Sequence, residues 1–173
     1  MAIITLNNNS LSSVTTLPSG ISGQNYPAFE AYASSTQTGL SDGVWTKLTI
    51  DTELFDTDGY YDNVTNYRFT PLVAGKYFVY VMSNMDSVTL WKANGLSIAI
   101  YKNGTEYINS FLEVNANNSV LDKFTGKVSS IIEFNGSSDY VEGYVNINNA
   151  SGGAGIADTT QGIGNFGAYR IGA

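Results

Sequence analysis

The sequence predicts an all-β protein, a two-layer antiparallel β-sandwich preceded by an N-terminal arm. Three observations lead there. Short runs rich in Val, Ile, Phe and Tyr alternate with clusters of Gly, Asn, Ser and Pro, which is the pattern of strands and turns. No apolar stripe of helical period reaches a useful length. Asn103-Gly104 separates two such runs, and this dipeptide is a strong hairpin signal because both residues tolerate positive φ.

Residues 1–26 stand apart from the rest. Their apolar side chains, among them the candidate docking residues Ile3, Ile4, Leu6 and Leu17, are spaced by Asn, Ser and Thr. Such a segment cannot bury enough surface to order itself. It is expected to be a docking arm that gains its order on another protein chain. Residues 27–173 then form one domain, a length that buries a sizeable core.

Residues 29–33 read as the first strand and residues 34–43 as polar loop. Residues 44–50 alternate at period two, with Val44, Thr46, Leu48 and Ile50 on one face and Trp45 on the other. Residues 51–62 carry Asp51, Glu53, Asp56, Asp58 and Asp62 and read as a solvated acidic stretch.

The centre of the chain is residues 69–81. Phe69 ends a strand, and Pro71, which lacks an N–H, suits that end. Gly75 supplies the positive φ of a tight corner. Residues 77–81 are an unbroken aromatic and β-branched run. Such a strand is covered on both faces, or on one face by its own core and on the other by another subunit. Residues 88–91 are a short strand candidate. Residues 96–102 and 106–114 flank the Asn103-Gly104 turn as a hairpin. Residues 127–134 and 140–147 read as a second hairpin around 135–139. Residues 149–164 are rich in Gly, Ala and Ser and read as a loop or close crossing. Residues 166–171 close the sheet.

These runs also carry motifs in a familiar order. Ala28-Phe29-Glu30-Ala31 opens it, and Tyr61-Asp62-Asn63-Val64-Thr65 leads to Phe69. Phe69, Gly75, Tyr77, Val79 and Val81 follow, then Ser97 through Asn103-Gly104, then Asn165 through Ile171. Together they resemble the globular domain of the complement C1q family, which belongs with the tumour-necrosis-factor jelly rolls. The resemblance implies an antiparallel jelly-roll β-sandwich that assembles as a homotrimer. It implies that Phe29, Phe69, Tyr77, Val79, Val81 and Tyr169 pack in the core or against the threefold axis, with Gly75 at the corner. It also implies binding instead of catalysis.

Composition narrows the function. Net charge is −7, from 8 Lys plus Arg against 15 Asp plus Glu, and the first basic residue is Lys47. An arm without cations cannot neutralise phosphates, so no nucleic-acid partner is expected. No apolar run approaches the ~18 residues of a membrane span. The N-terminus lacks a basic region followed by an apolar one, so no secretion leader is expected. There is no Cys and no His. That excludes disulfides, His-dependent nucleophilic triads and His- or Cys-based zinc sites. Glu106, Glu113, Glu133 and Glu142 lie on or near strands, but nothing marks two of them as a facing pair for glycoside hydrolysis.

Asp56-Thr57-Asp58-Gly59 begins like a calcium loop. The closing bidentate Glu is missing, because position 67 is Tyr. Asp56, Asp58 and Asp62 are the candidate Ca²⁺ set, and no other cofactor is implied. Trp45, Trp91, Tyr60, Tyr61, Tyr107 and Tyr140 are aromatics suited to packing, to interfaces or to sugar rings.

The functional expectation is a non-enzymatic virion structural protein of a bacteriophage, assembled in the host cytoplasm. The opening run from Met1 to Asn8 looks like the start of some phage structural proteins. Residues 1–26 would dock on a capsid or tail protein, and the short arm suits a capsid decoration protein. The alternatives are a tail fibre or spike tip that binds host surface glycan, and a secreted C1q-like adhesin or lectin.

Overall fold

The computed structural model describes residues 25–88, 93–114, 122–149 and 152–172. Residues 1–24 of the expected arm lie outside them, as do Trp91, Val120 and Leu121. Among the described residues all regular structure is β. In chain order the strands are β1 (Ala28–Tyr32), β2 (Gln37–Leu40), β3 (Thr46–Lys47), β4 (Thr52–Asp56), β5 (Tyr61–Asp62), β6 (Arg68–Phe69) and β7 (Gly75–Ser87). They continue with β8 (Ala93–Lys102), β9 (Thr105–Glu113), β10 (Lys123–Phe134), β11 (Val141–Asn149), β12 (Gly155–Asp158) and β13 (Asn165–Gly172).

They form two antiparallel sheets. In the first, β7 pairs along its length with β10 on one side. On the other side it pairs with β13 through its first half and β12 through its second. β1 and β4 extend the sheet beyond β13, and β2 extends it beyond β12. The second sheet runs β5-β6-β11-β8-β9, with β3 also on β11. The two inner faces enclose one core, as in any face-to-face sandwich.

The central strand explains the arrangement. Tyr77, Val79 and Val81 are fully buried against the second sheet, while Phe78 and Tyr80 point the other way and are only half-buried. So one face of the apolar run is covered by this chain's own core. Leu48 and Ile50 also face the core, as their alternation predicts, but Val44 is exposed. The 103–104 turn is as expected, with φ of 53° at Asn103 and 78° at Gly104.

Aromatic rings join the sheets at one end. Phe29 of the first sheet stacks on Tyr61 and Phe69 of the second, both at 4.5 Å between centroids. Phe166 meets Phe29 edge-on at 5.1 Å, and Tyr77 meets Phe134 at 5.0 Å. The Tyr61 and Tyr77 hydroxyls donate to the carbonyls of Ile50 and Val73, each at 2.8 Å, so neither buries an unpaired donor.

Four expectations need correction. First, β10 and β11 are not a hairpin: β10 pairs with β7 in the first sheet and β11 with β8 in the second. The connection crosses between layers and is pinned there. Asn135 Oδ1 accepts from the N–H groups of Ser137, Ser138 and Asp139. The Asp139 carboxylate takes bonds from Lys102 at 3.0 Å and Asn103 at 2.8 Å. Second, the polar stretch 34–43 contains β2 and the small-residue stretch 149–164 contains β12; they pair with each other. Third, the acidic stretch contains β4, an edge strand on β1. Its charges suit an edge, where they discourage further pairing. Fourth, of the 88–91 strand candidate only Val88 lies among the described residues, and it is a bend after β7 whose N–H donates to the Ala154 carbonyl at 3.0 Å.

Candidate functional site

The outer face of the first sheet carries an aromatic and aliphatic patch. Strand register places Ile131 of β10 and Tyr169 of β13 on either side of Phe78. The Phe78 ring lies 5.5 Å from Tyr169 and 6.0 Å from Tyr80. Ile131 remains 55% exposed, Tyr169 36% and Phe55, beyond them on β4, 46%. Tyr80 crosses the backbone of Gly167, where any Cβ would meet its ring. Its hydroxyl donates to Glu30 Oε2 at 2.9 Å, and Glu30 Oε1 accepts from Asn165 at 2.9 Å. Burial, then the Glu30 carboxylate, push the Tyr80 hydroxyl well above its ordinary range, so it stays a donor. A cleft of about 520 Å³ borders the patch between Tyr26, Phe55 and Tyr169.

Of the residues expected in the core or at an axis, Phe29, Phe69, Tyr77, Val79 and Val81 lie in the core and are fully buried. Tyr169 alone lies on the outer face. Sequence reasoning did not name Phe78, Tyr80 or Ile131. The signal for the first two was present: once Tyr77, Val79 and Val81 point inward, strand alternation turns Phe78 and Tyr80 outward. Ile131 needed the β10–β7 register. Ile3, Ile4, Leu6 and Leu17 lie outside the described residues.

Gly75 sits at the corner with φ +145°. A Cβ there would press on the Gly172 carbonyl oxygen and come within 2.9 Å of Arg170 Nε.

The three candidate Ca²⁺ carboxylates turn to their own loops. Asp56 accepts from the N–H groups of Asp58, Gly59 and Tyr61. Asp58 accepts from the Thr57 hydroxyl at 2.5 Å. Asp62 accepts from the N–H groups of Val64, Thr65 and Asn66. These bonds, that from Thr65 foremost, hold the Asp62 carboxyl below the usual range. Among the described residues no group of three or more Asp or Glu side chains is arranged to hold a metal.

The outer face of the second sheet is polar and aromatic. Glu142 is 2% exposed between two cations, with Oε1 2.6 Å from Lys47 Nζ and 3.0 Å from Arg68 Nη2. Arg68 lies over the Tyr140 ring at 4.0 Å. Tyr101 stacks on Tyr144 at 4.0 Å and meets Trp45 edge-on at 5.9 Å. This layer covers Ala99, which faces away from the core yet is fully buried. Glu142 is thus engaged by two cations within this layer.

Two stacked antiparallel sheets, with consecutive strands crossing between them, define a jelly-roll β-sandwich. More particularly, the fold is that of the C1q and tumour-necrosis-factor domains. The globular domain of zebrafish complement 1qA matches with a TM-score of 0.54 at 14% identity, over 84% of this chain and 97% of that one. Eiger TNF from S. frugiperda matches at 0.59 and 8% identity, over 83% and 91%. Murine APRIL matches at 0.57 and 8% identity, over 83% and 98%. No family model matches the chain, and no curated protein does.

Proposed function

We propose that the protein is a homotrimeric, non-catalytic assembly module of a virus particle, attached by residues 1–26. The observation that carries the reading is the patch around Phe78, Tyr80, Ile131 and Tyr169. A contiguous apolar face on a small acidic domain is an interaction surface. It is the second face of the central strand, which the sequence marks as covered on both sides. In the C1q and tumour-necrosis-factor resemblance, such faces meet around a threefold axis. A threefold ring satisfies a patch that is not self-complementary, because each copy offers one edge to the next.

Several features support binding over chemistry. The chain has neither His nor Cys, and Glu142 is neutralised by two cations. Three arms on one trimer would multiply a weak attachment through effective concentration. The setting we propose is a bacteriophage capsid, with the chain as a decoration protein. The rival place is a tail fibre or spike tip.

Particle stoichiometry tests the reading. In virions purified from cells that carry the gene, the chain should be present in many copies. A variant lacking residues 1–22 should fold and self-associate normally but stay in the supernatant. Absence of the full chain from particles, or incorporation of the truncated one, would contradict the proposal.

A further inference from the structure

The outward face of the second sheet holds a groove of about 240 Å³. Its floor is one register row, in which Asn146 of β11 lies beside Ser97 of β8 and Ser97 beside Phe111 of β9. The next row is Asn148, Gly95 and Glu113. Trp45, just before β3, walls the side opposite Phe111. Strands spaced about 4.8 Å apart put the β3 and β9 backbones roughly 14 Å from each other. Between the two aromatic walls the floor is kept low by Gly95 and Ser97.

From this geometry we propose that the groove binds a neutral pyranose sugar, the ring lying between Trp45 and Phe111 over the Asn146–Ser97 row. The chemistry of the lining fits that ligand. Indole and phenyl faces match the C–H faces of a sugar, and amide, hydroxyl and carboxylate groups match its hydroxyls. Phe111 is 67% exposed, far beyond what an edge strand needs for packing. Among the described residues, the side chains of Ser97, Asn148 and Glu113 bond to no protein partner. Asn146 spends its Nδ2 on the Gly43 carbonyl at 3.0 Å and keeps its oxygen free to accept.

Charge selects the sugar class. Glu113 is the one acidic or basic lining residue among those described, and Lys47, two residues along from Trp45, is committed to Glu142. Nothing in the groove would neutralise a sialic or uronic acid. The groove lies on the sheet opposite the proposed self-association face, so both surfaces can be occupied together, and the inference stands whatever the oligomeric state.

Ligand-observed NMR on the full chain tests it, using methyl glucoside, methyl galactoside, methyl mannoside and N-acetylglucosamine, with sialyllactose as the anionic comparison. At least one neutral sugar should bind with Kd on the order of 1–10 mM, an ordinary single-ring affinity. Phe111→Ala and Asn148→Ala remove exposed side chains and should leave the melting temperature unchanged. Each should weaken binding about fivefold or more. The inference is overturned if no neutral sugar binds, if sialyllactose is preferred, or if either variant binds as tightly as the parent.

Discussion

Phe29→Ala is expected to remove a large share of the domain's stability. Phe29 lies on β1 of the first sheet, yet its ring stacks on Tyr61 and Phe69 of the second and takes the edge of Phe166. It is fully buried, so the chain cannot refill the space without moving a sheet. Truncating a buried Phe costs about 3–5 kcal/mol, through lost transfer energy and the remaining cavity. Domains of this size have roughly 5–15 kcal/mol in all. Urea denaturation should therefore show a large drop in midpoint, with Val64→Ala, in an exposed turn, as the near-neutral control. A loss below about 1 kcal/mol would mean that the two sheets are not joined through this ring.

Gly75→Val should be nearly as damaging, for a different reason. At φ +145° an L side chain is strained whatever the space around it. Here the space is also closed. The new Cβ would face the Gly172 carbonyl, which is backbone and cannot rotate away. The Arg170 guanidinium is held across the same corner by two bonds to the Ala74 carbonyl, at 3.0 and 3.3 Å. On the other side Gly136 presses its backbone against Ala74. Strain and overpacking together should cost about 3 kcal/mol or more. Gly59→Ala is the comparison: its φ is +71° but no atom lies within 4 Å of the added Cβ. A melting temperature for Gly75→Val equal to that of Gly59→Ala would refute the account of this corner.

What the sequence disclosed was what local chemistry decides. The 103–104 hairpin was legible because Asn-Gly itself sets the backbone. The inward set Tyr77, Val79 and Val81 and the corner at Gly75 were legible for the same kind of reason. The strands that were missed owe their existence to partners far away in sequence. β2 and β12 have few β-forming residues and pair with each other and with the far half of β7. The 135–139 turn looked like a hairpin turn because Asn, Gly and Asp favour a tight reversal. Nothing local says that β10 and β11 leave it into different sheets. The sites follow the same division. Alternation along β7 implies Phe78 and Tyr80, whereas the Asn146–Ser97–Phe111 row exists only once three strands have found their register. The Asp56–Asp62 stretch shows the converse: a metal-like spacing of carboxylates whose oxygens serve the turns that carry them.

The most direct measurement is the mass of the purified chain in solution, by light scattering at micromolar concentration. The account predicts three chain masses of 18.6 kDa each, falling to one when Phe78→Glu places a charge at the centre of the patch. A parent chain that elutes at a single chain mass, or a Phe78→Glu variant that remains associated, would contradict self-association through this face.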